Sequence, residues 1–121
     1  MLRTIRKENP ELAHLLVTLR KASTAHNAPL WREVARHLAR GRHKVRPMNV
    51  GQLERLAEAN QTVIVPGKLL AEGRISKPMT VAALHYSEAA RAKLHSAGGT
   101  ALTIEELLKS RPDASGVRLL A

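Results

Sequence analysis

An α/β fold is what this sequence predicts, and three observations predict it. Thr62-Val63-Ile64-Val65 is a short β-branched run, the signature of a strand. Met79 to Tyr86 is apolar almost throughout, as a strand buried on both faces must be. Leu12, Leu15, Leu16 and Leu19, and then Leu30, Val34 and Leu38, recur at the spacings of amphipathic helices.

The elements follow in order. Asn9-Pro10 announces a first helix, since Pro is well placed in a first turn; the leucine pattern carries it to about Ala22. Ser23 to Ala28 reads as a linker of small and polar residues. A second helix opens between Asn27 and Pro29. Trp31 and Ala35 widen its apolar face, Arg32, Arg36 and Arg40 line the opposite side, and Gly41 is the expected C-cap. Pro47 keeps the basic segment Arg42-His43-Lys44-Val45-Arg46 from being helical. A third short helix follows Asn49, with Leu53 and Leu56 on one face. After the β-branched run, Pro66-Gly67 reads as a type II turn, Pro fixing the first central position and Gly supplying positive φ at the second. A further strand is expected from Lys68 to Glu72, stopping at Gly73. Ser87 is an N-cap for a helix beginning at Glu88, and Gly98-Gly99 stops it. After a strand-like link, Thr103 with Glu106 reads as a capping box for a last helix, Ile104 to Ser110. Residues 111–121 mix Pro112, Asp113, Ser115 and Gly116 with a weakly apolar end and are expected to be irregular or packed on a neighbour.

The chain of 121 residues is expected to form one domain: a basic, mainly helical part over 1–60, an α/β part over 61–110, and a tail over 111–121. Lys and Arg total 20 against 10 acidic residues, a net charge of +10. Such an excess points to a polyanion, nucleic acid before membrane. There is no cysteine, which excludes disulfides, thiolate metal sites and thiol nucleophiles. Met1 to Glu8 carries no apolar run long enough for a signal peptide, and nothing approaches the ~18 apolar residues of a membrane span. A cytoplasmic location is expected. Trp31 and Tyr86 are the only aromatic residues, so the multi-aromatic platform on which single-strand binders stack bases cannot be built. An RNA partner is therefore expected to be met through phosphates and folded shape.

The charge is uneven. Residues 1–60 hold 12 Lys or Arg against 5 acids, and residues 61–121 hold 8 against 5. No acid lies between Glu33 and Glu54. Charged helix faces are usually only solvated, yet clustered arginines without interleaved acids are the electrostatic footprint of nucleic-acid binding. Candidate RNA-binding residues are Arg32, Arg36 and Arg40 on the second helix and Arg42, His43, Lys44 and Arg46 after it. Arg3, Arg6, Lys7, Arg20 and Lys21 precede them, and Lys68, Arg74 and Lys77 lie around the central turns. Pro66-Gly67-Lys68 is not a P-loop: that motif needs Gly at position 62 and Ser or Thr at 69, where Thr62 and Leu69 stand. The six histidines lack metal-ligand spacing; His85, inside an apolar strand, reads as a hydrogen-bonded core residue. Trp31 reads as packing rather than base stacking. Nothing in the sequence supplies a catalytic site, a metal site or a cofactor motif.

Val63-Ile64-Val65-Pro66-Gly67-Lys68, then Val81-Ala82-Ala83-Leu84 running into Ser87-Glu88-Ala89-Ala90, then Ala97-Gly98-Gly99, resemble a ribosomal signature. It is that of the large-subunit protein family numbered eighteen in archaea and eukaryotes, similar to the C-terminal half of the bacterial large-subunit protein numbered fifteen. The resemblance is strongest over Thr62 to Leu108. It implies that family's irregular stack of short strands and helices with an N-terminal helical part added. It also implies a structural, non-enzymatic role in the large ribosomal subunit, with ribosomal RNA and neighbouring ribosomal proteins as partners and no small-molecule substrate. The rival readings are a basic DNA-binding protein and an RNA-modifying enzyme.

Overall fold

A computed structural model describes residues 10–40 and 47–121. Its helices are α1 (Pro10–Ala25), α2 (Pro29–Leu38), α3 (Val50–Leu56), α4 (Glu88–Ser96) and α5 (Ile104–Ser110), and its strands β1 (Met48–Asn49), β2 (Thr62–Leu70), β3 (Thr80–Tyr86), β4 (Thr100–Thr103) and β5 (Val117–Leu119). The expected α/β class is what forms. All strand pairings are parallel, in the order β1-β2-β3-β4, with β5 on β2 as well.

A parallel sheet needs cover on both faces, and the side chains provide two cores. Ile64 and Ala82 meet Leu15 and Leu19 of α1, Trp31, Val34, Ala35 and Leu38 of α2, and Ile104, Leu107 and Leu108 of α5. On the other face Val63, Val65, Val81 and Ala83 meet Val50 and Leu53 of α3 and Ala90 and Leu94 of α4. The alternation Val63, Ile64, Val65 is thus read out face by face. Helix α4 leads outward from β3 to β4, and α5 leads back to β5 beside β2. Crossovers that run in opposite directions with one common hand must lie on opposite faces, as these two do.

Local signals hold where they are self-contained. Ser87 Oγ accepts the Ala90 N–H at 3.1 Å. Thr103 and Glu106 close their capping box, with bonds of 3.0 and 2.8 Å. The Gly98 and Gly99 amides donate to the carbonyls of His95 and Leu94. That is a Schellman motif, and Gly98 fits it because its φ is +84°.

Several expectations are corrected. Pro66-Gly67 is not a turn: β2 runs straight through, and Gly67 is not among the residues with positive φ. The pairing with β3 goes from Val65↔Ala83 to Lys68↔His85, so the Pro-Gly pair is a bulge opposite a single residue. Strand β5 pairs with β2 through Ile64, and β1 joins the same edge only from Leu69. Pro66, which has no N–H, falls in the gap between them, where no edge partner needs one. The strand expected over Lys68 to Glu72 is the end of β2. Helix α1 continues through Ser23 to Ala25 because Ser23 lies one turn beyond Leu19 on the buried face; Asn27, at φ 50°, makes the break. Leu56 does not share the buried face of Leu53, and it is 47% exposed. His85 is exposed, near the end of β3 where the core no longer covers the strand. The tail is not irregular throughout: β5 enters the sheet, and Leu120 is buried in the second core. The expected cap at Gly41 lies outside the described residues, and α2 ends with Ala39 as its C-cap.

Candidate nucleic-acid interface

Helix α2 is built to show two different faces. Trp31, Val34 and Ala35 are wholly buried and Leu38 nearly so, while Arg32 and Arg36 are exposed; Arg40, expected on this helix, is exposed in the turn after it, because the helix ends at Leu38. The buried residues anchor the helix on the sheet. Trp31 adds a polar anchor, its indole Nε1–H donating to the Pro112 carbonyl at 2.7 Å. That bond and the complete burial of the ring fit the packing reading and take Trp31 out of reach of a base. Arg20 and Lys21 are exposed on α1, which belongs to the same helical layer. Lys68 is exposed next to Leu69. Since Leu69 points into the second core, alternation turns Lys68 to the α2 side of the sheet, in register with His85. Arg3, Arg6, Lys7, Arg42, His43, Lys44 and Arg46 lie outside the described residues.

The sequence expectation that these arginines have no acidic neighbours needs one adjustment. Glu33, one turn before Arg36, takes its guanidinium at 2.8 Å, the one ion pair among the described residues. The pair is exposed, so its strength is small and readily exchanged. Arg20, Lys21, Arg32, Arg40, Lys68 and Arg74 have no side-chain partner among the described residues.

On the opposite face lies the crossover from β2 to β3, residues 71–79, which has no regular structure and is nevertheless pinned along its length. The Gly51 N–H donates to the Glu72 carbonyl at 3.0 Å, and Asn49 Oδ1 accepts the Glu72 N–H at 3.1 Å. The Glu54 carboxylate takes the Ser76 N–H at 3.0 Å and the Ser76 hydroxyl at 2.6 Å. These bonds, the hydroxyl's first, hold Glu54 below the usual carboxylate range. Lys77, a candidate RNA ligand by sequence, is half-buried, and its ammonium donates to the carbonyls of Glu54 and Ala57 at 2.8 and 3.1 Å. It closes the C-terminal end of α3. Lys93 of α4 donates to the carbonyls of Ala71 and Gly73 at 2.7 and 2.8 Å. Arg74 is the exposed cation this loop presents.

Candidates named by sequence therefore fall on two sides: α1, α2 and Lys68 on one, Arg74 and Lys77 on the other. Sequence reasoning missed Lys93. The available signal was its place beside Leu94 on α4, where a long side chain can lie along the apolar face and bring its head to a neighbouring segment. Among the described residues no group of His, Asp and Glu is arranged to hold a metal ion, and no helix is long and apolar enough to cross a membrane.

A parallel sheet covered on both faces, with unpartnered cations along its outer helices, defines a basic α/β protein. The chain belongs to the family described as ribosomal protein 60S L18 and 50S L18e, whose family model matches residues 2–121. It is 47% identical to the large ribosomal subunit protein eL18 of Archaeoglobus fulgidus over 116 residues, covering 96% of this chain and 99% of the relative. With the eL18 proteins of Methanoregula boonei and Methanopyrus kandleri it is 40% and 44% identical, over 99% and 93% of this chain and 99% and 92% of theirs.

Proposed function

We propose that this chain is a structural constituent of the large ribosomal subunit, in the cytoplasm, and supports translation by holding folded ribosomal RNA in place. Its partners are that RNA and neighbouring ribosomal proteins; the role is not enzymatic and calls for no cofactor. Family membership over nearly the whole chain supports the ribosomal part of this reading. The observation that carries the mechanism is α2, with Trp31, Val34, Ala35 and Leu38 buried on one face, Arg32 and Arg36 exposed on the other, and Arg40 exposed in the turn just after it. Arginine forks onto phosphate oxygens in bidentate fashion and keeps its charge at any physiological pH. Each phosphate neutralised releases condensed counterions, which drives association and makes it salt-dependent. Arg20, Lys21 and Lys68 extend the same side. Arg3, Arg6, Lys7, Arg42, His43, Lys44 and Arg46 enter the reading by charge and position in the sequence. A phosphate reaching Arg36 displaces Glu33, at small cost because that pair is exposed.

The test changes Arg32, Arg36 and Arg40 together to Gln. Exposed substitutions of this kind usually change stability by less than about 0.5 kcal/mol each, so the melting temperature should hold. Affinity for deproteinised large-subunit RNA should fall, and the logarithmic salt slope should become shallower by up to about 0.9 per lost contact. Unchanged affinity and slope in a well-folded variant would show that the α2 face is merely solvated.

A further inference from the structure

A shallow groove of about 260 Å³ runs between the pinned crossover loop and α4, on the side of the sheet away from α2. Gly73, Arg74, Ile75, Ala92, Lys93 and Ser96 line it. Two of the six are cations and none is an acid. Lys93 stands at its edge with a fixed head. An ammonium has three donors; two are held by the Ala71 and Gly73 carbonyls, and the third is uncommitted. Arg74 is exposed and has no partner among the described residues. Ser96 adds an exposed hydroxyl. The last carbonyls of α4 would repel an anion, but those of Leu94 and His95 are occupied by the Gly99 and Gly98 amides. The backbone under Arg74 is also fixed. Gly73 sits at φ +96°, packed so closely on Gly51 that a Cβ there would lie 2.7 Å from the Gly51 Cα. A loop without regular structure but held by Asn49, Gly51, Glu54, Lys77 and Lys93 fixes the backbone from which Arg74 extends, so no loop ordering is lost when a partner arrives.

We infer that this groove is a second phosphate-binding subsite, in which Arg74, the free Lys93 donor and the Ser96 hydroxyl grip an RNA backbone phosphate. The chain then joins two RNA segments, one on each face of its sheet. The inference rests on the ribosomal-RNA reading above and adds to it a second contact surface that the charge-rich first half of the sequence does not indicate.

The experiment uses the full chain and deproteinised large-subunit RNA. Three proteins are compared: the parent, Arg74→Gln with Ser96→Ala, and the α2 triple variant. Lys93 is left intact because it also holds the loop. The groove variant should melt like the parent, bind several-fold more weakly, and show a salt slope shallower by about 0.9. In hydroxyl-radical footprinting it should lose protection on nucleotides different from those exposed by the α2 variant. Combining both sets should add their effects, since distant sites without shared partners act independently. Parent-like affinity and footprint in the folded groove variant, with the α2 variant weakened, would overturn the subsite and leave the α2 reading standing. Loss of protection at the same nucleotides in both variants would overturn the two-segment arrangement. Absence of salt-dependent binding by the parent would overturn the ribosomal-RNA mechanism itself, and the groove with it.

Discussion

Tyr86 is the chain's single tyrosine, and its hydroxyl lies 2.7 and 2.6 Å from the carbonyl oxygens of Val81 and Leu102. It ties β3 to β4 at the edge of the sheet, and the Arg91 guanidinium sits 4.8 Å from the ring centroid. Burial pushes its pKa up from 10.0 to about 12. The sign follows directly: the fold favours the neutral phenol, so this contribution to stability is complete below about pH 10 and is lost as the pH climbs towards 12. With one tyrosine, the ultraviolet absorbance of tyrosinate reports this group alone. It should stay low through pH 10 and rise close to pH 12 or together with unfolding. A reversible rise centred near pH 10 in protein that keeps its helical circular dichroism would show that the phenol is not held as described. Residue roles of this kind were only partly legible. A buried Trp31 could be read from its place beside Leu30 and Val34. The internal duty of Lys77 could not, because its two carbonyl partners, Glu54 and Ala57, lie 23 and 20 residues away at the end of α3 and come within reach only through the fold.

At the scale of elements, motifs complete within a few residues were readable from sequence, and arrangements that need a third segment were not. The Ser87 cap, the Thr103–Glu106 box and the Gly98-Gly99 stop each close on themselves. The Pro66-Gly67 bulge depends on β5 and β1 dividing one edge of β2 between them, which no local pattern records. The crossover loop belongs to the second kind, and its weak point is a backbone contact. Gly73→Ala would put a side chain on a residue at φ +96° and drive a Cβ to 2.7 Å from the Gly51 Cα, with the Gly51 N only 3.0 Å away. Both neighbours are backbone, so nothing flexible can yield. The left-handed conformation alone costs about 1–3 kcal/mol in a residue other than glycine, and moving the loop off α3 threatens the Glu72 and Glu54 bonds as well. Melting should fall by several degrees, and amides of residues 71–77 should lose hydrogen-exchange protection ahead of those in β2. An alanine variant with parent-like melting and loop protection would mean that the loop is not clamped against α3.

The molecule as a whole is closed by its last residues, which reach both helical layers. Pro112 receives the Trp31 indole of α2, β5 lies along the start of β2, and the Leu120 N–H donates to the Ile64 carbonyl at 2.9 Å. Beyond the sheet, Arg118 Nη1 donates at 2.8 Å to the Leu56 carbonyl at the end of α3, and Leu120 fills the second core. A segment expected from its composition to be irregular thus links the layer carrying the α2 arginines to the layer carrying the groove. The composition was a poor guide because a three-residue strand needs little β propensity once a parallel partner and a core are waiting for it. Two changes separate its parts. Leu120→Ala, which empties a buried position, should cost roughly 2–5 kcal/mol. Arg118→Gln, at an exposed site, should cost less than about 1 kcal/mol. Deleting residues 117–121 removes both contacts and also leaves the groups at the start of β2 that face β5, the Ile64 C=O among them, unpaired along an open edge. The deletion should therefore melt below either point variant and associate at concentrations where the parent does not, by light scattering. If it instead melts like Arg118→Gln and stays monodisperse, β5 is an accessory of the sheet rather than its closure, and the two layers are held together by their cores alone.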